Sequence, residues 1–107
     1  MRARGILASP ANEILVSSAS AWEVATKHRL GKLPSIGPFV TDMRGWILKA
    51  GFRELPVGIA HAQRAGAWPL PHKDPFDRML AAQAEIEGVP LITRDPALSA
   101  FGVPLIW

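Results

Sequence analysis

The chain has 107 residues, 49% hydrophobic and 20% charged, a composition that suits one compact globular domain over residues 1–107 and excludes a disordered chain. Twelve Lys and Arg, eight of them Arg, stand against nine Asp and Glu, and the resulting +3 and pI near 10.0 lean toward an anionic partner such as nucleic acid. The absence of Cys excludes a disulfide scaffold, a Cys-ligated zinc and a thiol nucleophile, and with no membrane-length apolar run or signal-peptide pattern the protein is expected in the cytoplasm, away from membranes.

In chain order, Arg2 to Ser9 reads as the tail of a helix stopped by Pro10. Glu13 to Ser18 is an aliphatic, β-branched run, expected as a buried strand. Ser20-Ala-Trp-Glu23 fits a capping box opening a helix that closes at Gly31. A second helical pattern runs from about Ser35 to Ala50, with Gly37, Pro38 and Gly45 interrupting its early part. Phe52 to Val57 alternates as a short edge strand, and Ile59 to Ala65 supplies another helix. Asp74-Pro75-Phe76-Asp77 is a helix start, with Asp as N-cap and Pro in the first turn, and the helix continues to Gly88. Val89 to Thr93 is a strand, Pro96 to Ala100 a helical turn, and Val103 to Trp107 a last strand. This alternation implies an open α/β sheet, mainly parallel, with helices on both faces.

Ligands of such sheets gather beyond the carboxyl ends of the strands, and three carboxylates qualify: Glu23, Asp77 and Asp95, spaced 54 and 18 residues apart. Clustered carboxylates need cations to stay ionised, and their hard oxygens suit Mg²⁺ or Mn²⁺, which serve phosphodiester hydrolysis. Each also has a local reading. Glu23 sits at the third position of a capping box, Asp77 at a helix start where the dipole favours it, and Asp95 as the N-cap of the following turn; Asp74 is most simply an N-cap.

The segments carrying these groups, SSASAWEVATKHRLGKL and PHKDPFDRMLAAQAEIEGVPLITRDPALSAFGVPLIW, resemble the PIN-domain toxins of VapBC toxin–antitoxin modules. The resemblance runs from about Arg2 to Trp107. It places one acidic metal ligand on Glu23 in Ala-Trp-Glu, another on Asp77 in Asp-Pro-Phe-Asp-Arg and a third on Asp95 in Leu-Ile-Thr-Arg-Asp. It implies a PIN-like three-layer α/β/α sandwich, a Mg²⁺- or Mn²⁺-dependent endoribonuclease toxin, RNA as substrate, a VapB-type antitoxin as partner, and homodimerisation. It also implies a supporting site role for Thr93, which stands beside Asp95 at a strand end where a hydroxyl would be placed to orient the attacking water. The family opens with a central aliphatic strand ending in an Asp ligand. No such segment precedes Arg2, so that strand and ligand are expected to be missing. The alternative is therefore a catalytically inactive, truncated PIN-like module that binds antitoxin or dimerises without cleaving RNA; a basic nucleic-acid-binding domain unrelated to PIN folds is a third reading.

Among the remaining residues, Ser17, Ser18 and Ser20 read as strand end and N-cap or as phosphate donors. Arg78 reads as a neutraliser of phosphate charge or a surface ion pair, and Lys27 and Arg29 as RNA-guiding or merely solvated. His28, His61 and His72 lack the i, i+4 spacing of a zinc site. Trp22, Trp46 and Trp107 are expected in the core, with Trp68 left open in its Pro-flanked loop. No nucleophile elbow or Gly-rich phosphate loop is present.

Overall fold

A computed structural model describes residues 2–107, which fall into two compact units, one formed by Glu13–Pro56 and the other by the residues up to Asn12 together with Val57–Trp107. The strands are parallel and alternate with helices, the α/β class expected from the sequence. They are hydrogen-bonded two by two, one pair in each unit.

In the Glu13–Pro56 unit, β1 (Leu15–Ser17) pairs in parallel with β2 (Arg53–Leu55), with Leu15 opposite Arg53 and Ser17 opposite Leu55. The crossover between them is helical: α2 (Ser18–Arg29), a 3-10 turn at Pro34–Ile36, α3 (Gly37–Thr41) and α4 (Met43–Lys49). The helix expected from Ser35 to Ala50 is thus broken in pieces. Asp42 leaves the helical region at φ −147°, ψ 63° and caps α4, its Oδ1 accepting the Gly45 N–H at 3.1 Å. Gly45 leaves room for that cap, because a Cβ there would run into the Asp42 carboxylate and push it aside. The start of α2 also differs from expectation. Ser17, and not Ser20, is the N-cap, its Oγ accepting the Ala19 N–H at 3.0 Å, so the strand passes into the helix without a loop.

The other unit contains α1 (Arg2–Ala8), α5 (Ile59–Ala67), α6 (Pro75–Glu87), β3 (Leu91–Ile92), a 3-10 helix at Pro96–Phe101 and β4 (Leu105–Ile106). β3 and β4 are parallel, Leu91 opposite Leu105 and Ile92 opposite Ile106. The ladder extends through Leu91 N–H to Pro104 O and Thr93 N–H to Ile106 O. α6 begins and ends as its sequence requires: Asp74 caps it, Pro75 occupies the first turn, and Gly88 closes it in the left-handed conformation at φ 67°. Alanines line the α5–α6 contact, and Ala65, Ala81, Ala82 and Ala84 share one core with Trp68, Leu98, Phe101 and Val103. Away from that core the two helices are tied by Arg64 with Glu85, bonded from Nε at 2.8 Å and Nη2 at 3.1 Å, and by His61 Nε2 with Glu87 at 2.9 Å.

The tryptophans reverse their expected places. Trp22 is 65% exposed, and Trp46 and Trp107 are also exposed, whereas Trp68 is buried at 8%. Helical periodicity put Trp22 and Trp46 on apolar faces, but their helices are short and bury little more than Ala19 and Ile47. Trp68 instead packs edge-on against Phe101, 5.0 Å between ring centroids, with the Arg64 guanidinium over its ring, 3.8 Å from the centroid. In urea denaturation, Trp68→Ala is expected to cost about 3–5 kcal/mol, as for a buried aromatic, and Trp46→Ala about 1 kcal/mol or less.

Candidate active site

Asp77 takes its place from the way α6 starts. Asp74 Oδ1 accepts the N–H groups of Phe76 and Asp77 at 2.9 and 3.1 Å, so the capping work is done by Asp74. The Asp77 carboxylate, at the third helical position, accepts instead from His72 Nε2 at 2.9 Å through Oδ2. Both side chains are about one-fifth exposed. An ionised carboxylate only accepts, so Nε2 carries the proton in this pair.

His72 belongs to the loop between α5 and α6, whose Trp68-Pro69-Leu70-Pro71-His72 run has two residues without an N–H. Leu70 N–H donates to Trp68 O at 2.8 Å within the loop, and Arg78 supplies further donors from outside it. Nε of Arg78 donates to Ala65 O at 2.8 Å, Nη1 to Leu70 O at 2.8 Å and His72 O at 2.9 Å, and Nη2 to Trp68 O. Both sequence readings of Arg78, phosphate neutraliser and surface ion pair, give way to this one: the guanidinium binds four carbonyls of its own chain. The bond to Ala65 also satisfies a carbonyl in the last turn of α5.

Asp95 follows β3 and is the N-cap of the 3-10 helix, its Oδ1 accepting the Ala97 N–H at 3.0 Å. Thr93 holds it from behind, Oγ1 accepting the Asp95 N–H at 3.1 Å. α6 packs against β3, which it reaches through only Gly88, Val89 and Pro90, and against the 3-10 helix that Asp95 caps. The contact between the Phe101 ring of the 3-10 helix and His72, 5.1 Å between centroids, joins the two segments that carry Asp95 and Asp77.

In the Glu13–Pro56 unit, Glu23 is the sixth residue of α2, because the helix starts at Ser18. The capping-box role read for it from the sequence falls away, and its Oε2 pairs with Lys27 at 3.0 Å. Ser17 has the structural role, and Lys27 carries out the ion pair. Glu23 Oε1, Asp77 Oδ1 and Asp95 Oδ2 have no hydrogen-bond or ion-pair partner among the described residues. Neither unit by itself brings three or more His, Asp or Glu together among those residues. Open carboxylate oxygens nevertheless fit Mg²⁺ or Mn²⁺, hard ions; Mg²⁺ takes one or two protein carboxylates and keeps several waters.

A family model for the PIN domain matches residues 1–103. The chain belongs to the PIN-domain family. It is similar to Ribonuclease VapC16 of Mycobacterium tuberculosis (strain ATCC 25618 / H37Rv), 40% identical over 68 residues that make up 62% of this chain and 48% of that protein. The chain thus spans about half the length of the curated relative it matches. No solved structure matches it. Membership removes the reading of a basic nucleic-acid-binding domain unrelated to PIN folds. Among the described residues of this PIN domain no helix is long and apolar enough to cross a membrane.

Sequence reasoning passed over His72, treating it only as a failed zinc ligand. The one signal was its place five residues before Asp77, across an Asp-Pro helix start that turns the chain back on itself. Lysine has a single donor atom and does not span four carbonyls. In urea denaturation Arg78→Lys is expected to lose about 2–4 kcal/mol, and limited proteolysis is expected to cut the variant first within residues 68–73.

Proposed function

We propose that this PIN domain is the nuclease part of a VapC-type ribonuclease toxin, hydrolysing RNA phosphodiesters in the cytoplasm, paired with a VapB-type antitoxin and assembling as a homodimer. The observation that carries the reading is the PIN-domain match over residues 1–103, within which Glu23, Asp77 and Asp95 stand in the sequence contexts of acidic ligands. The similarity to Ribonuclease VapC16 supports the same activity.

In this reading Asp77, Asp95 and Glu23 are the residues that would supply carboxylate ligands to Mg²⁺ or Mn²⁺, through the oxygens their local bonds leave open. Bound there, the cation supplies neutralisation of the phosphoryl oxygen and a lowered pKa for water. The chain's own residues bind and orient. Asp77 and Asp95 are fixed on Oδ2 and Oδ1 respectively, which limits the directions in which their second oxygens point. Thr93 positions Asp95 through its backbone, and its hydroxyl proton remains available to a water beside that carboxylate. No covalent intermediate is needed, since water is the nucleophile.

Asparagine keeps the shape at both aspartates: it caps as well as Asp at position 95, and its carbonyl still accepts from His72 at position 77. In an RNA-cleavage assay with Mg²⁺ or Mn²⁺, Asp77→Asn and Asp95→Asn are each expected to lower the rate at least about a hundredfold at unchanged stability, and a chelator to abolish it. Absence of cleavage in either metal, with VapB-type antitoxin still bound, makes the protein the non-catalytic module instead.

A further inference from the structure

Two His–carboxylate pairs tie this unit together, and they differ in a way that separates a fold contact from a site contact. His61 is buried and bonds to the backbone: its Nδ1 accepts the Gly58 N–H at 2.9 Å at the start of α5, while Nε2 meets Glu87. The His72 ring makes no backbone hydrogen bond among the described residues; its one polar contact is Asp77 Oδ2. Nor does His72 depend on Asp77 for its own place. Its carbonyl is held by Arg78 Nη1 at 2.9 Å and its ring lies edge-on to Phe101. The imidazole is thus anchored from its own side, and the bond acts on the aspartate.

The aspartate needs such a bond. A carboxylate at the third helical position ordinarily turns back toward the N–H groups of the helix start. Asp77 accepts none of them; Asp74 has taken the N–H groups of Phe76 and Asp77, and His72 draws Oδ2 aside, leaving Oδ1 open. We infer that His72 is a positioning residue for Asp77, its Nε2–H fixing the carboxylate so that Oδ1 is presented to a divalent cation, with Arg78 and Phe101 holding the imidazole in line. The inference rests on the reading of Asp77 as a metal ligand. Partners of this kind, which orient a ligating group through its other atom, typically change metal affinity 10- to 100-fold when removed.

The test is Mn²⁺ binding by titration calorimetry on the chain and on three variants. Phenylalanine keeps the ring against Phe101 and removes the donor; glutamine returns an N–H near the position of Nε2. His72→Phe is expected to weaken Mn²⁺ about 10- to 100-fold, with a metal-free urea midpoint close to that of the parent, and His72→Gln to restore most of the affinity. Equal Mn²⁺ affinity in His72→Phe and the parent, where Asp77→Asn has lost it, overturns the positioning role alone. Equal affinity in all of them, Asp77→Asn included, overturns the ligand reading beneath it. Should His72→Phe fail to fold, the parent protein answers by NMR: the His72 Nε2–H resonance is expected to shift on adding Mg²⁺, and an unmoved resonance overturns the inference.

Discussion

The guanidinium of Arg78 donates to the carbonyls of Ala65, Trp68, Leu70 and His72, and so makes the proline-rich loop between α5 and α6 a continuation of the α6 scaffold. Pro69 and Pro71 deprive that loop of two N–H groups, so beside its internal bond from Leu70 N–H to Trp68 O its carbonyls are held by a side chain from outside. Much else follows from that shape. Trp68 is seated in the core, the end of α5 is closed, and His72 is brought to Asp77. The residue beside Asp77 in sequence therefore builds the surroundings of the Asp77 carboxylate without a hydrogen bond or ion pair to it.

The two candidate ligands of this unit, Asp77 and Asp95, are each held by local structure through one carboxylate oxygen. Asp95 is at once an N-cap and the residue that follows a strand end, and Asp77 stands in a helix start whose capping is delegated to Asp74. Capping and metal ligation are usually weighed as rivals for one carboxylate. In the proposed reading they divide between the oxygens of Asp95, and between two neighbouring residues in the case of Asp74 and Asp77. An aspartate tethered by one oxygen loses little further freedom when the other is engaged, which favours binding at such a group.

Legibility from sequence followed the strength of local signals. α6 was readable because Asp74, Pro75 and Gly88 each force a backbone conformation, and β3 and β4 because aliphatic pairs sit between breakers. The start of α2 was not, because three serines compete to cap it and only the strand register of Ser17 decides among them. The break at Asp42 depends on its carboxylate lying over Gly45, a contact within one turn that periodicity does not encode. The roles of Arg78 and His72 were hidden for a different reason: both act on a loop folded back against α6, and no spacing rule states which carbonyls a guanidinium will find. The three candidate carboxylates, and Thr93 beside Asp95, were picked out in the sequence; the bonds that His72 and Lys27 make to Asp77 and Glu23 were not.

The burial of Trp68 gives the molecule an internal optical marker. Of its four indoles, this one alone is shielded from water, beside the Arg64 guanidinium and the Phe101 ring, while Trp22, Trp46 and Trp107 are solvent-facing. A red shift of the emission at constant secondary structure is therefore the expected sign that the loop Arg78 holds, and with it the surroundings of Asp77, has loosened.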